Sequence, residues 1–250
     1  VGGFGDAAYY TFGLTKNITT LKGAMVTTND ARLALKIRTH VAGGGRVARR
    51  ELLRETMTGA AMMVATHKWV YPFTVHPAVV LGNRLGQDPI HDRFGEAEYL
   101  AASVSERYFH SAPRAAQAAV GQIQLERIDA LNGARVRNGR FLDEHLAHIP
   151  GLTRMTWPEK AEPIFMSYVV QHDQREALAA GLRKRGVDTT IGYMTDASSN
   201  PLFAAWQKDC PNARTAYERL LHLPVHPNLS RRDRHHLVES VRLACLELDT

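Results

Sequence analysis

Apolar residues along this chain recur with two different periods. Ala7–Phe12 and Ala24–Thr28 are short, nearly continuous apolar runs, and read as buried strands on either side of a hydroxyl-rich loop. Asn29 or Asp30 then stands where a helix cap belongs, ahead of Ala31, Leu33, Leu35 and Ile37. Ala112 to Ile149 reads as one long helix that could break near Gly133, with Leu125, Ile128 and Leu131 on one side. Leu142, Leu146 and Ile149 repeat the helical spacing, and Pro150-Gly151 ends it. Ile164, Met166, Tyr168 and Val170 alternate with Phe165, Ser167, Val169 and Gln171, which is a strand pattern. Asp173 and Glu176 have the spacing of a capping box ahead of a helix carrying Leu178 and Leu182. Basic Arg183-Lys184-Arg185 suits the end of that helix, and Gly186 its left-handed stop. Val187–Ile191 is the next strand, and a last helix starts at Ser230 or Asp233 and passes Val238 and Val241. Strands and helices in alternation argue for an α/β architecture.

The connection from about residue 45 to 105, roughly 60 residues, is longer than an unstructured loop should be, so helices are expected near 47–66 and 93–107. Gly59 to Gly82 is apolar and carries Trp69, Tyr71 and Phe73. Lys68, two histidines, Pro72 and Pro77 argue against a spanning helix there. A packed subdomain or dimer contact is the expectation, with a membrane-surface contact as the alternative.

The candidate chemistry centres on Lys16. A strand-like run stops at Thr11-Phe12, and the loop that follows presents a single amine among Thr15, Asn17, Thr19 and Thr20. A lysine that is desolvated and held still can form a Schiff base with a carbonyl cofactor. Arginine could not replace it, because it stays protonated.

The stretch from Gly5-Asp6 to Asp30 resembles the lysine region of the DegT/DnrJ/EryC1/StrS family of sugar aminotransferases. The resemblance rests on Gly5-Asp6, Thr11-Phe12, Thr15-Lys16-Asn17, Thr19-Thr20 and Val26-Thr27-Thr28-Asn29-Asp30. Two later blocks keep the family order: Gln117-Ala118-Ala119-Val120-Gly121 with Gln124-Leu125, and Leu221-His222-Leu223-Pro224-Val225-His226-Pro227-Asn228-Leu229-Ser230. It implies a pyridoxal 5′-phosphate enzyme of fold type I, with Lys16 as the Schiff-base and catalytic residue. Thr11 would contact the cofactor phosphate. Counting back from Gln117 puts His110 where the family has a phosphate-binding Asn, so His110 is carried as a cofactor-binding candidate. His226 is the candidate for the substrate mouth. The implied domains are residues 1–125, the C-terminal part of the cofactor-binding large domain, with an insertion at about 45–105. Residues 126–250 would form the linking helix and a small α+β domain. On this expectation the chain is a C-terminal portion, and the aspartate that pairs with the cofactor ring lies upstream of Val1. The chain alone would then lack part of the active site.

One departure from the family pattern stands out. The family's Gly-Glu-Gly-Gly turn is Leu21-Lys22-Gly23-Ala24 here, so the turn is less flexible and its acid has become a base. The implied reaction moves an amino group from glutamate or glutamine to a nucleotide-linked keto sugar. The competing class is a non-catalytic, truncated or degenerate protein of the same fold, acting in assembly or regulation.

Composition narrows the remaining classes. With 250 residues the chain can bury a sizeable core. Lys plus Arg is 31 against 25 acids, a formal charge of +6, concentrated in Arg46–Arg54, Arg183–Arg185 and Arg231–Arg234. No aromatic-interleaved basic motif accompanies these clusters, so nucleic acid ranks last among partners. A homodimer is expected by analogy. Cys210 and Cys245 are far apart and lack metal spacing, which suits a reducing cytoplasm. His222 and His226 are four apart, but Pro224 between them breaks the helix that would align them, so no metal is expected.

Overall fold

The computed structural model describes residues 2–13, 16–67, 69–84, 112–191, 198 and 205–248. The chain divides into two compact units, Val1–Ile128 and Asp129–Thr250.

The first unit opens with strands β1 (Ala8–Thr11) and β2 (Ala24–Thr27), paired antiparallel with Thr11 opposite Ala24. They are not buried as their apolar runs suggest. Tyr9 is 67% exposed, and Met25 and Val26 are also exposed. An apolar run is buried only where another layer covers it, and the described residues place none over this two-stranded ladder.

Helix α1 (Ala31–Gly43) begins where expected: Asp30 accepts from the amides of Arg32 and Leu33. Helix α2 (Arg49–Ala65) falls within the span expected for a helix near 47–66. Helix α3 (Val75–Arg84) follows a single 3-10 turn at Tyr71–Phe73. The helix expected near 93–107 lies outside the described residues.

Ala112 to Ile149 forms two helices rather than one. Helix α4 (Ala115–Leu125) stops at Glu126 and Arg127, and α5 (Ile128–His145) follows. The interruption is not at Gly133, which is helical within α5. In this unit the buried described residues are Ile18, Thr20, Val79 and Gln117, and three of these belong to the Lys16 loop and the helix beneath it.

The second unit is an antiparallel sheet covered by helices. Its strands are β3 (Thr153–Arg154), β4 (Tyr168–Gln171), β5 (Thr190–Ile191) and β6 (Leu220–Leu223), in the order β3-β4-β6-β5. Alternation along β4 and β6 buries Tyr168, Val170, Leu221 and Leu223. Leu142 of α5 and Leu146 just beyond its end join this core, as do Leu178 and Leu182 of α6 (Arg175–Lys184). Val241 and Cys245 of α8 (Arg231–Leu248) complete it; α7 (Pro211–Arg219) leads into β6.

The strand pattern from Ile164 is realised only from Tyr168, because Phe165 takes a positive φ of 49° that breaks extension. Asp173 does not cap α6. Its carboxylate pairs with Arg219 Nε at 2.9 Å, and Gln174 takes the cap position without a side-chain bond. Gly186 does stop α6 with φ of 74°. Ser230 and Asp233 cap α8 reciprocally, Asp233 N donating to Ser230 Oγ at 3.2 Å and Ser230 N to Asp233 Oδ2 at 2.8 Å.

Candidate active site

The loop between β1 and β2 is pinched at its neck. Phe12 N donates to Gly23 O at 2.9 Å, Thr20 N to Phe12 O at 3.0 Å, and Thr19 Oγ1 to the same carbonyl at 3.3 Å. Beyond the neck, Lys16 N donates to Gly13 O at 3.1 Å. Ile18, 8% exposed, anchors the descending side. Lys16 itself is exposed, and its amine makes no ion pair or hydrogen bond with a described residue. Thr11, the last residue of β1, is also exposed, and its hydroxyl is likewise unengaged among the described residues.

The base of the loop is the opposite case, with both threonine hydroxyls hydrogen-bonded. Leu21 holds φ of 71°, a left-handed conformation that costs a branched residue about 1–3 kcal/mol. Thr19 Oγ1 accepts from Leu21 N at 2.9 Å, and Thr20 Oγ1 donates to Lys22 O at 2.7 Å, so the two threonines close the turn around it. Gly23, at φ of 122°, completes the reversal where a side chain would be strained.

Helix α4 underpins this turn. Gln117, Gly121 and Gln124 share one face at helical spacing. Gln117 Nε2 donates to Thr20 O at 3.2 Å and to Lys22 O at 3.0 Å, while its Oε1 accepts from Arg114 N at 3.0 Å. Gln124 accepts from Thr19 N at 3.0 Å and donates to Thr19 O at 2.5 Å. A Cβ at Gly121 would meet Thr20 Cγ2 at 2.9 Å, so only glycine lets helix and loop approach this closely. Lys22 pairs with Glu51 and Glu55 of α2, each at 3.2 Å. The base that stands where an acid was expected has therefore found acids on the next helix.

In the second unit, His226 follows β6 in the turn that leads to α8. Asn138, 4% exposed on α5, donates from Nδ2 to His226 O at 2.9 Å and fixes that turn. The His226 imidazole is held below its usual pKa by desolvation first and by the Arg135 charge second, with Asp233 opposing. Its side chain nonetheless reaches solvent. Arg135 donates to the carbonyl of Met166 at 3.1 Å and to that of Phe165 at 3.5 Å, beside the strained Phe165 backbone. His222 lies on β6 with Nδ1 2.8 Å from Ser167 Oγ, and desolvation lowers its pKa. No group of three or more His, Cys, Asp or Glu among the described residues is placed to hold a metal.

Lys16 and Thr11 thus lie at one loop of the first unit and His226 in the second unit. His110 lies outside the described residues. The contact roles of Gln117, Gln124, Asn138 and Arg135 had no individual sequence signal beyond the shared helical face of the two glutamines.

The sequence model of the DegT/DnrJ/EryC1/StrS aminotransferase family matches residues 1–66 and 114–242. The chain belongs to this family. The match skips 67–113, within which the undescribed 85–111 falls. Among curated relatives, the chain is 28% identical over 129 residues to dTDP-3-amino-3,4,6-trideoxy-alpha-D-glucose transaminase of Streptomyces venezuelae, covering 50% of this chain and 34% of the relative. It is 25% identical over 253 residues to the spore coat polysaccharide biosynthesis protein SpsC of Bacillus subtilis, covering 97% of this chain and 54% of that one. The chain thus spans about a third to a half of the lengths of these relatives. The aminotransferase TlmJ of Streptoalloteichus hindustanus shares the fold at a TM-score of 0.65 and 22% identity, over 100% of this chain and 54% of that one. The fold is that of the type-I pyridoxal-phosphate sugar aminotransferases.

The cofactor of the family is pyridoxal 5′-phosphate. The donor set fits it. Thr19 and Thr20 spend their hydroxyls inside the loop, whereas the Lys16 amine and the Thr11 hydroxyl are exposed and have no partner among the described residues. Those two groups are the amine that an aldehyde needs and a donor suited to phosphate oxygen.

Proposed function

We propose that this chain is part of a pyridoxal-phosphate aminotransferase that moves an amino group from glutamate or glutamine to a nucleotide-linked keto sugar. The observation that carries the reading is the exposed Lys16 amine on a loop whose base is hydrogen-bonded to Gln117 and Gln124, in a chain of this family. In its bound form the cofactor supplies an electron sink for the carbon that loses its proton.

Lys16 is the amine joined to the cofactor aldehyde. When not joined to the cofactor, Lys16 would take up and return a proton at its Nζ. Thr11 donates from Oγ1 to the cofactor phosphate, and His110 is a second candidate donor. His226, whose pKa is lowered by desolvation first and the Arg135 charge second, serves substrate recognition as a hydrogen-bonding group. Residues 1–125 would be the C-terminal part of the large domain, with an insertion at about 45–105, and 126–250 the linking helix and small domain. A homodimer in the cytoplasm completes the proposal. Both cysteines are free thiols, and no helix among the described residues is long and apolar enough to cross a membrane.

The test is absorption spectroscopy of the protein at full natural length, loaded with cofactor. The reading expects a visible band that bleaches with glutamate, recovers with a keto sugar nucleotide, and is absent in Lys16→Ala. A protein that binds no cofactor, with Lys16→Ala indistinguishable from the parent, supports the non-catalytic alternative.

A further inference from the structure

We infer that Gln117 and Gln124 are positioning residues for Lys16, their side-chain amides setting the backbone of Thr19–Lys22 and so the placement of the amine. The inference rests on the reading of Lys16 as the cofactor lysine and adds residues that touch neither cofactor nor substrate.

Gln117 is 3% exposed, and a buried amide is tolerated only when its hydrogen-bonding groups are satisfied. Both N–H groups of Gln117 are spent on the loop, at Thr20 O and Lys22 O, and its carbonyl on Arg114 N. The two loop carbonyls bracket Leu21, the residue in the left-handed conformation. One side chain therefore straddles the strained residue and holds the carbonyls of the residues before and after it.

Gln124 works differently. It takes both the N–H and the C=O of Thr19, which fixes the orientation of that residue in the way a rung of a β-ladder would. Asn17 and Ile18 alone separate Thr19 from Lys16, and Ile18 is buried. A rotation at Thr19 has little chain in which to be absorbed before it reaches the lysine.

Lateral freedom is removed as well, because Gly121 is packed against Thr20. Helix α4 thus offers the loop two amides and a gap between them, on one face. General packing would have been met by apolar residues at these positions. Paired amides aimed at main-chain groups about 100 residues away specify one loop conformation instead.

The test uses the protein at full natural length, with Gln117→Met and Gln124→Met removing the hydrogen bonds at similar volume. Gln124→Glu keeps the acceptor for Thr19 N and loses the donor to Thr19 O. Gln174→Met, in the second unit, serves as the control. Two readouts are taken: the pH-dependent rate at which trace acetic anhydride labels Lys16 in the cofactor-free protein, and the fraction of Lys16 trapped by borohydride in the loaded protein. Hydrogen exchange at the Thr19 amide is followed alongside. Each Met variant is expected to change the Lys16 labelling profile and to cut trapping about tenfold or more, since small misplacements of a reacting group are costly. Gln124→Glu should recover part of the Thr19 protection and part of the trapping, and Gln174→Met should change neither. Should the Met variants not fold, Gln124→Glu against the parent decides the matter by the same readouts. Unchanged labelling and trapping in folded variants, with Thr19 exchange accelerated, would overturn the positioning role. If the parent itself traps no cofactor, the proposed function fails, while labelling of the cofactor-free protein still reports whether the glutamines place Lys16.

Discussion

Thr19 and Gln124 exchange two hydrogen bonds across 105 positions of sequence, the amide of Thr19 reaching Oε1 and its carbonyl accepting from Nε2. This pairing ties the loop that carries Lys16 to a helix face, and it sits in the part of the first unit where burial is concentrated. Stability and chemistry therefore meet at the same few residues there.

The partly buried ion pairs of Lys22 should matter less than the buried amides. Lys22→Ala loses two contacts that remain partly in water, and is expected to cost under about 1 kcal/mol, less still at high salt. Lys22→Glu places a third carboxylate beside Glu51 and Glu55 and should cost more at low salt than at high salt. Thermal unfolding at two ionic strengths checks both.

Gly139 lies under the Phe165 ring, and a Cβ there would meet Phe165 Cδ2 at 2.4 Å and Cγ at 2.5 Å. Gly139→Ala is expected to destabilise the second unit by about 1–3 kcal/mol through overpacking. In a double-mutant cycle with Phe165→Leu the two costs should be less than additive, because the smaller side chain gives the methyl room. Denaturant titration of the four proteins measures this.

Much of the architecture could be read along the chain, and the failures share a cause. Asp30 caps α1 and Ser230 with Asp233 caps α8 because both are local arrangements within one turn. Asp173 has equally good local spacing, but Arg219, distant in sequence, takes its carboxylate. The strands beside Lys16 are where their composition puts them, but burial depends on what covers them, and composition does not record that. The site shows the same division. One short motif makes Lys16 and Thr11 the candidates, whereas the hydrogen bonds of Gln117 and Gln124 exist only once α4 and the loop are folded together.

Tyr168 gives the second unit an alkaline dependence. Its hydroxyl donates to Asp143 Oδ1 at 2.8 Å, with Arg154 bound to the same carboxylate oxygen at 2.5 Å. Burial first, and the neighbouring Asp143 second, raise its pKa well above the ordinary 10.0. The unfolded chain ionises this phenol near its ordinary value while the fold still holds the proton. Stability is thus fully present below about pH 10 and declines as pH rises beyond it. Tyr168→Phe should lose stability at neutral pH by about 0.5–1.5 kcal/mol, from one hydrogen bond, and show a shallower alkaline decline. Urea midpoints between pH 7 and 11 for the two proteins test the sign.

His222 and His226 set the acid side. Both have pKa values below the ordinary 6.5, with desolvation the leading cause. The unfolded state therefore takes up protons first as pH falls through about 6.5, and the fold loses stability below it. Following the two imidazoles by NMR should place both midpoints under that of a free histidine. A midpoint above it for His226 would contradict the role of Arg135 and burial in its environment.

Borohydride reduction of the cofactor-loaded protein at full natural length, followed by peptide mapping, probes Lys16 itself. The account predicts a stable pyridoxyl group on the Nζ of Lys16 and its absence when Lys16 is replaced by alanine. Finding the adduct on another lysine, or on none, would contradict the assignment of Lys16 as the residue that holds the cofactor.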